Sequence, residues 1–263
     1  MINEETAAEL RALAARYETE GFLSGDPSWF MHQVAGESNQ EVTAFVASAL
    51  SYGSRAQFLP KISQIIEWAS DGCEADVVEW VRGGAFETCL GDDAACFYRL
   101  YTNATMRTFL RALQRMLQKY GSMRQFVVSN LPCESASKRD AMGVMQLLTG
   151  WFASHGSAGV VPKDTKSSCK RLAMFLRWMV RVDSPVDLGL WSDLIDRRTL
   201  VVPMDTHVVQ EACRLGLLSS KSASMSAARR LTDVLRQVWP DDPLCGDFAL
   251  FGTGVDEKAG LSF

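Results

Sequence analysis

The chain has 263 residues, 47% of them apolar, which suffices to bury a core in one large domain or two lobes and excludes a disordered protein. A formal charge of -4 excludes a surface that is basic all round, so any affinity for a polyanion has to come from a local patch. Seven cysteines, none in a Cys-x-x-Cys spacing, argue against a disulfide framework and against a zinc site, and no metal or cofactor is expected.

Taken in chain order, Met1 to Glu20 is an acidic amphipathic stretch without the cationic start and apolar run of an export signal. No apolar run long enough to span a membrane follows, so the chain reads as unexported, cytoplasmic and not membrane-bound. Asp26-Pro27 is a cap followed by a first-turn proline and starts a short helix that carries Trp29. Ser38 with Glu41 three residues on forms a capping-box pattern ahead of Val42, Phe45, Val46, Ala49 and Leu50, one buried stripe that Gly53 closes. Further helices are expected from about Gln57 to Ala69, Thr105 to Tyr120 with Gly121 behind it, Asp140 to Ser154, and Ser167 or Ser168 to Val182. Two loops separate the later elements, Gly156 to Ser168 and Val186 to Met204, the second holding Trp191 and Pro203 and delivering the chain to Asp205. Asp205 is placed as the N-cap of a helix that ends at Gly216. Strict apolar alternation over a strand's length is hard to find anywhere, so the expected class is all-α.

The segment from Lys163 to Arg181 carries Lys163, Lys166, Lys170, Arg171, Arg177 and Arg181 against the single Asp164, a basic patch on an acidic protein. Lys170 falls in the first turn of its helix, where the positive end of the macrodipole disfavours a protonated amine; Arg171 and the apolar Leu172, Met174 and Phe175 push the same way. A neutral amine is what a nucleophile needs, and the competing view is a surface lysine on a basic face. For Asp205 the competing view is an ordinary cap, a role compatible with chemistry.

A lysine near the start of a core helix, followed by the turn Pro203-Met204-Asp205-Thr206-His207-Val208 opening the next long helix, resembles the catalytic pair of the bifunctional helix-hairpin-helix (HhH-GPD) DNA glycosylases. Within them the pattern is most similar to the archaeal 8-oxoguanine DNA glycosylase type and a bacterial branch that the chain resembles over most of its length. The resemblance implies a single two-lobed helical domain over residues 1–263, with a variant hairpin and catalytic region at about 140–216. It implies a monomer that binds DNA containing a damaged base, 8-oxoguanine in the first place, with Lys170 as the nucleophile and Asp205 assisting. In the stretch Pro240 to Gly252 it gives Asp247 and Phe251, one helical turn apart, as a polar contact and a stacking surface for the base; a plain core helix with a capping aspartate stands beside that reading. Met174, one turn after Lys170, and Trp29 are further candidates for the base pocket, each with a core role as the alternative.

The chain departs from the superfamily's usual Leu-Pro-Gly-x-Gly hairpin, offering Val161-Pro162-Lys163-Asp164-Thr165-Lys166-Ser167-Ser168 instead. Lys163, Lys166, Ser167, Ser168 and Arg171 are therefore the expected contacts to the DNA backbone. The four-cysteine iron-sulfur loop of some relatives is missing, Cys245 alone standing in that region. Two rival readings remain: a monofunctional glycosylase of another lesion specificity, and a non-enzymatic helical DNA-binding protein.

Overall fold

Helical spacing gives helices. In the computed structural model, which describes residues 2–70, 74–133 and 137–258, the chain runs through α1 (Glu4–Tyr17), two short 3-10 turns (Glu20–Leu23 and Pro27–His32), α2 (Glu37–Leu50), α3 (Arg55–Ser70), α4 (Val77–Gly83) and α5 (Phe86–Cys89). A small antiparallel hairpin follows, β1 (Cys96–Tyr98) and β2 (Tyr101–Thr102), and then α6 (Asn103–Tyr120), α7 (Met123–Asn130), α8 (Ala141–Ser154) and α9 (Lys170–Val180). A 3-10 turn at Arg197–Thr199 precedes α10 (Thr206–Arg214), α11 (Met225–Leu235) and α12 (Cys245–Lys258). The protein is thus mostly helical, as its periodicity requires; the hairpin and the helices α4, α5, α7 and α11 are features that the reading of the periodicity did not announce. Among the described residues no helix is long and apolar enough to cross a membrane.

The chain divides into two compact units, each with its own core. One comprises residues 25–139 and 143–164. Its centre is the aromatic cluster of Phe45, Phe109 and Phe152, ring centroids 5.1 to 5.8 Å apart, contributed by α2, α6 and α8. Glu41 does not close a capping box with Ser38, because α2 begins at Glu37 behind Gly36, whose φ of 82° favours glycine. Glu41 is instead 4% exposed and accepts from the backbone N–H groups of Met123 at 2.9 Å and Arg124 at 3.0 Å, satisfying the first turn of α7 with a carboxylate where the helix dipole is positive. Glu41→Gln keeps one acceptor and loses the charge, so it is expected to cost about 1–2 kcal/mol, read as a fall in the thermal midpoint.

The other unit comprises residues 2–24, 140–142 and 165–258. In it α12 packs on α1 and α10. Gly252 makes the first of these contacts possible: the Tyr17 ring occupies the space a Cβ would need. Helix α9 starts at Lys170 rather than at Ser167 or Ser168, because Cys169 takes a left-handed conformation with φ of 48° and Ser167 forms an isolated antiparallel bridge with Ser224. Its inner face, with Leu172, Phe175, Leu176 and Trp178, is almost wholly buried, and Phe175 meets Trp191 edge-on at 5.3 Å. Trp191 is itself fully buried, which makes it core.

Candidate functional site

The first turns of α9 and α10 meet at one ion pair. Asp205 is the N-cap of α10, in extended conformation, and its Oδ1 accepts from the Val208 N–H at 2.9 Å. That bond fixes the carboxylate rotamer and leaves Oδ2 facing Lys170, whose Nζ lies 3.2 Å away. The approach to Asp205 is held from behind: Val202 donates its N–H to Thr232 Oγ1 at 3.1 Å, and Thr232 in turn donates to the Ala228 carbonyl of α11. On the other side, Cys169 directs Lys170. A non-glycine residue at positive φ is uncommon, and this one is buried immediately before the lysine. The Lys170 side chain is 33% exposed and that of Asp205 13%, so the pair is reachable from solvent but partly shielded.

Behind the pair lies a buried charge network that sequence reasoning missed. Arg177, two turns after Lys170 on α9, is 4% exposed and pairs with Asp187 at 3.2 Å and Asp247 at 2.5 Å. Arg181, one turn further, is 2% exposed and pairs with Asp187 at 2.6 Å, Glu18 at 2.8 Å and Asp242 at 3.0 Å. Both guanidinium groups lie over the Phe248 ring, at 4.5 and 5.3 Å from its centre. The basic face read from Lys163 to Arg181 is corrected accordingly: Arg177 and Arg181 are interior ions. The available signal was their position among Leu172, Phe175, Leu176, Trp178, Met179 and Val180, an apolar helix in which an arginine has to bring its own carboxylates.

Asp247 is the carboxylate shared between this network and the site. Burial pushes its pKa from the ordinary 3.8 up to about 6; Arg177 pulls the other way, and the charges of Asp205 and Asp187 add to the rise. The folded chain therefore holds a proton that the unfolded chain has already released. The associated stability is fully present below 3.8 and is lost as the pH climbs through about 6, a swing of about 3 kcal/mol. Asp247→Asn removes that swing. Its stability relative to the parent is expected to improve between about pH 4 and pH 7, read from denaturant midpoints across that range, and a flat or falling difference would exclude the assignment.

Of the other expected residues, Phe251 sits half-buried one turn beyond Asp247, with His207 edge-on at 6.2 Å and Phe22 at 6.0 Å. Met174 is half-buried one turn after Lys170. Asp247, foreseen as a contact to a base, has Arg177 on Oδ2 and is 3% exposed. Lys166 and Ser167 are exposed at the approach to α9, Arg171 is half-buried, and Ser168 is 7% exposed. Lys163 and Trp29 belong to the other unit, both exposed. Among the described residues no cluster of three or more His, Cys, Asp or Glu side chains could hold a metal ion. A family model described as a protein of unknown function (DUF2400) matches residues 26–256. No curated protein and no solved structure matches the chain.

Proposed function

Since the chain belongs to the DUF2400 family, whose description states no activity, we propose a function from the site itself: a bifunctional DNA glycosylase and AP lyase of the helix-hairpin-helix type, in which Lys170 is the nucleophile and Asp205 its proton acceptor. The observation that carries this reading is the amine 3.2 Å from a carboxylate whose other oxygen is locked by a helix cap. A damaged nucleotide has to leave the stack before its anomeric carbon can be reached. The lone pair of Lys170 then forms the bond from nitrogen to C1′ while the glycosidic bond breaks, its electrons leaving with the base, which takes up a proton. The attacking nitrogen gives its proton to Asp205, the sugar ring opens, and the imine is complete. Loss of a C2′ proton and departure of the 3′ phosphate nick the strand.

At rest the pair is an ion pair, and a charged amine cannot attack. Covering it with DNA removes water from both ions, and desolvation favours the neutral amine and acid over ammonium and carboxylate. The substrate thus generates the nucleophile, and the proton that Asp205 has received passes to the departing base, which leaves the carboxylate able to accept the proton of the attacking nitrogen. Exposed Lys166 and Ser167 beside α9 suit the phosphates that flank the lesion. The protein acts as a monomer in this scheme, and 8-oxoguanine is the first base expected.

Incubation with duplexes containing 8-oxoguanine, uracil, hypoxanthine or an abasic site, in the presence of borohydride, tests it. A covalent adduct on reduction identifies an amine nucleophile. Base release without any adduct points to a monofunctional enzyme, and neither release nor adduct on any of the four ends the proposal.

A further inference from the structure

A cleft of about 240 Å³ is lined by the 3-10 turn Arg197–Thr199 with the two residues after it, by α11 with its C-cap Arg236, and by Asp140 and Met142. All the lining residues belong to the 2–24, 140–142 and 165–258 unit, and neither Lys170 nor Asp205 is among them. The Ala141 N–H donates to Thr199 Oγ1 at 2.9 Å, which ties the 140–142 segment to the turn. Met142, Leu200 and Val201, each at most 8% exposed, give the cleft an apolar floor.

Three guanidinium groups, those of Arg198, Arg229 and Arg236, share the lining with the single carboxylate of Asp140. Two of them are held in place by carboxylates outside the lining. Arg198 Nε and Nη2 grip Asp196 at 3.0 and 2.7 Å, while Arg236 bonds to Asp233 through Nη1 and to the Arg198 carbonyl through Nη2 at 2.9 Å. A guanidinium has five N–H donors, so Arg198 Nη1 and Arg236 Nε stay unspent among the described residues. Arg229 is exposed, and among the described residues it has no hydrogen-bond or ion-pair partner. Its charge stabilises no described contact, and repulsion from the other two cations of the lining is relieved when an anion sits among them.

Guanidinium groups match the oxygens of carboxylates and phosphates. A carboxylate has two oxygens and one charge, too few for three separate guanidiniums, whereas a phosphomonoester presents three oxygens and about two negative charges at neutral pH. The apolar floor asks for an uncharged organic remainder on that phosphate, and a volume below the roughly 300–1,000 Å³ of larger ligand pockets limits its size. We propose that this cleft binds a small phosphomonoester, its phosphate among Arg198, Arg229 and Arg236 and its organic part on Met142, Leu200 and Val201. A free metabolite and the 5′-phosphate end of a nucleic acid strand both present that group. The site does not depend on the chemistry assigned to Lys170.

Isothermal titration of the full chain with phenyl phosphate, inorganic phosphate and benzoate tests it. Phenyl phosphate is expected to fill one site about tenfold more tightly than either of the others, since inorganic phosphate lacks the apolar part and benzoate the second charge. Arg229→Gln, an exposed change that leaves the thermal midpoint unaltered, weakens phenyl phosphate about tenfold by removing a charged hydrogen-bond donor. Lys221→Gln takes the same charge from an exposed position outside the lining and leaves the affinity unchanged. A 5′-phosphorylated trinucleotide that binds more tightly than phenyl phosphate makes a strand end the ligand; one that binds more weakly makes it a free monoester. The proposal is overturned by no binding of phenyl phosphate at millimolar concentration, by benzoate binding as well as phenyl phosphate, or by Arg229→Gln losing no more affinity than Lys221→Gln. Borohydride trapping of abasic DNA by Arg229→Gln is expected at the parental level. Failure of the parent to trap removes the lyase reading and leaves this site standing.

Discussion

Asp205→Asn is expected to leave helix α10 as stable as in the parent while lowering base excision about 10²- to 10⁴-fold. Asparagine caps a helix as well as aspartate does, so the bond from Val208 N–H survives and the amide stays near Lys170. It cannot take a proton from the amine or oppose a cationic sugar, and those are the two things asked of Oδ2. Asp205→Ala differs in an informative way, since it loses the cap as well and costs about 1 kcal/mol of stability. Lys170→Gln completes the comparison. Its ion pair is one-third exposed on the lysine side and contributes little to folding, so the variant stays folded and binds DNA, yet has no nucleophilic lone pair and yields no borohydride adduct. An adduct from Lys170→Gln would place the nucleophile elsewhere, and excision unimpaired in Asp205→Asn would reduce Asp205 to its cap.

The pair itself was legible because caps and helix starts are local. Asp205 follows a proline by two residues and precedes an apolar-periodic stretch, and Lys170 opens the helix that begins with Lys-Arg-Leu-Ala. Positive φ at Cys169, by contrast, depends on how the turn is strapped to Ser224, a contact far away in sequence. Glu41 shows the same limit from the other side: its spacing from Ser38 matched a capping box, but the N–H groups it serves belong to α7. The hairpin escaped because strands of three and two residues are too short for alternation to be seen. Arg177 and Arg181 were read by charge alone, and their carboxylates come from residues 18, 187, 242 and 247, which no local window joins.

Arg181→Met is expected to be the most destabilising single change in the 165–258 region, by about 3–5 kcal/mol, or a thermal midpoint lower by about 10 °C. The volume is nearly kept, so the loss is electrical: one cation leaves a site where Asp187, Glu18 and Asp242 converge, and Arg177 alone remains near Asp187. Arg181→Lys should recover only part of it, since one ammonium cannot span three carboxylates as a planar guanidinium does. Burial already raises Asp187 against the pull of Arg177 and Arg181, and without Arg181 the rise is larger. The variant's deficit therefore has a sign in pH. It is greatest where Asp187 is ionised and shrinks as acid protonates it. A loss below about 1 kcal/mol, or one that grows on acidification, would show that the network is not held by its charges. Below its lowered midpoint the variant should still trap abasic DNA at the parental rate per folded molecule, because Arg181 touches neither Lys170 nor Asp205; a specific loss of trapping would instead mean that the network tunes the amine.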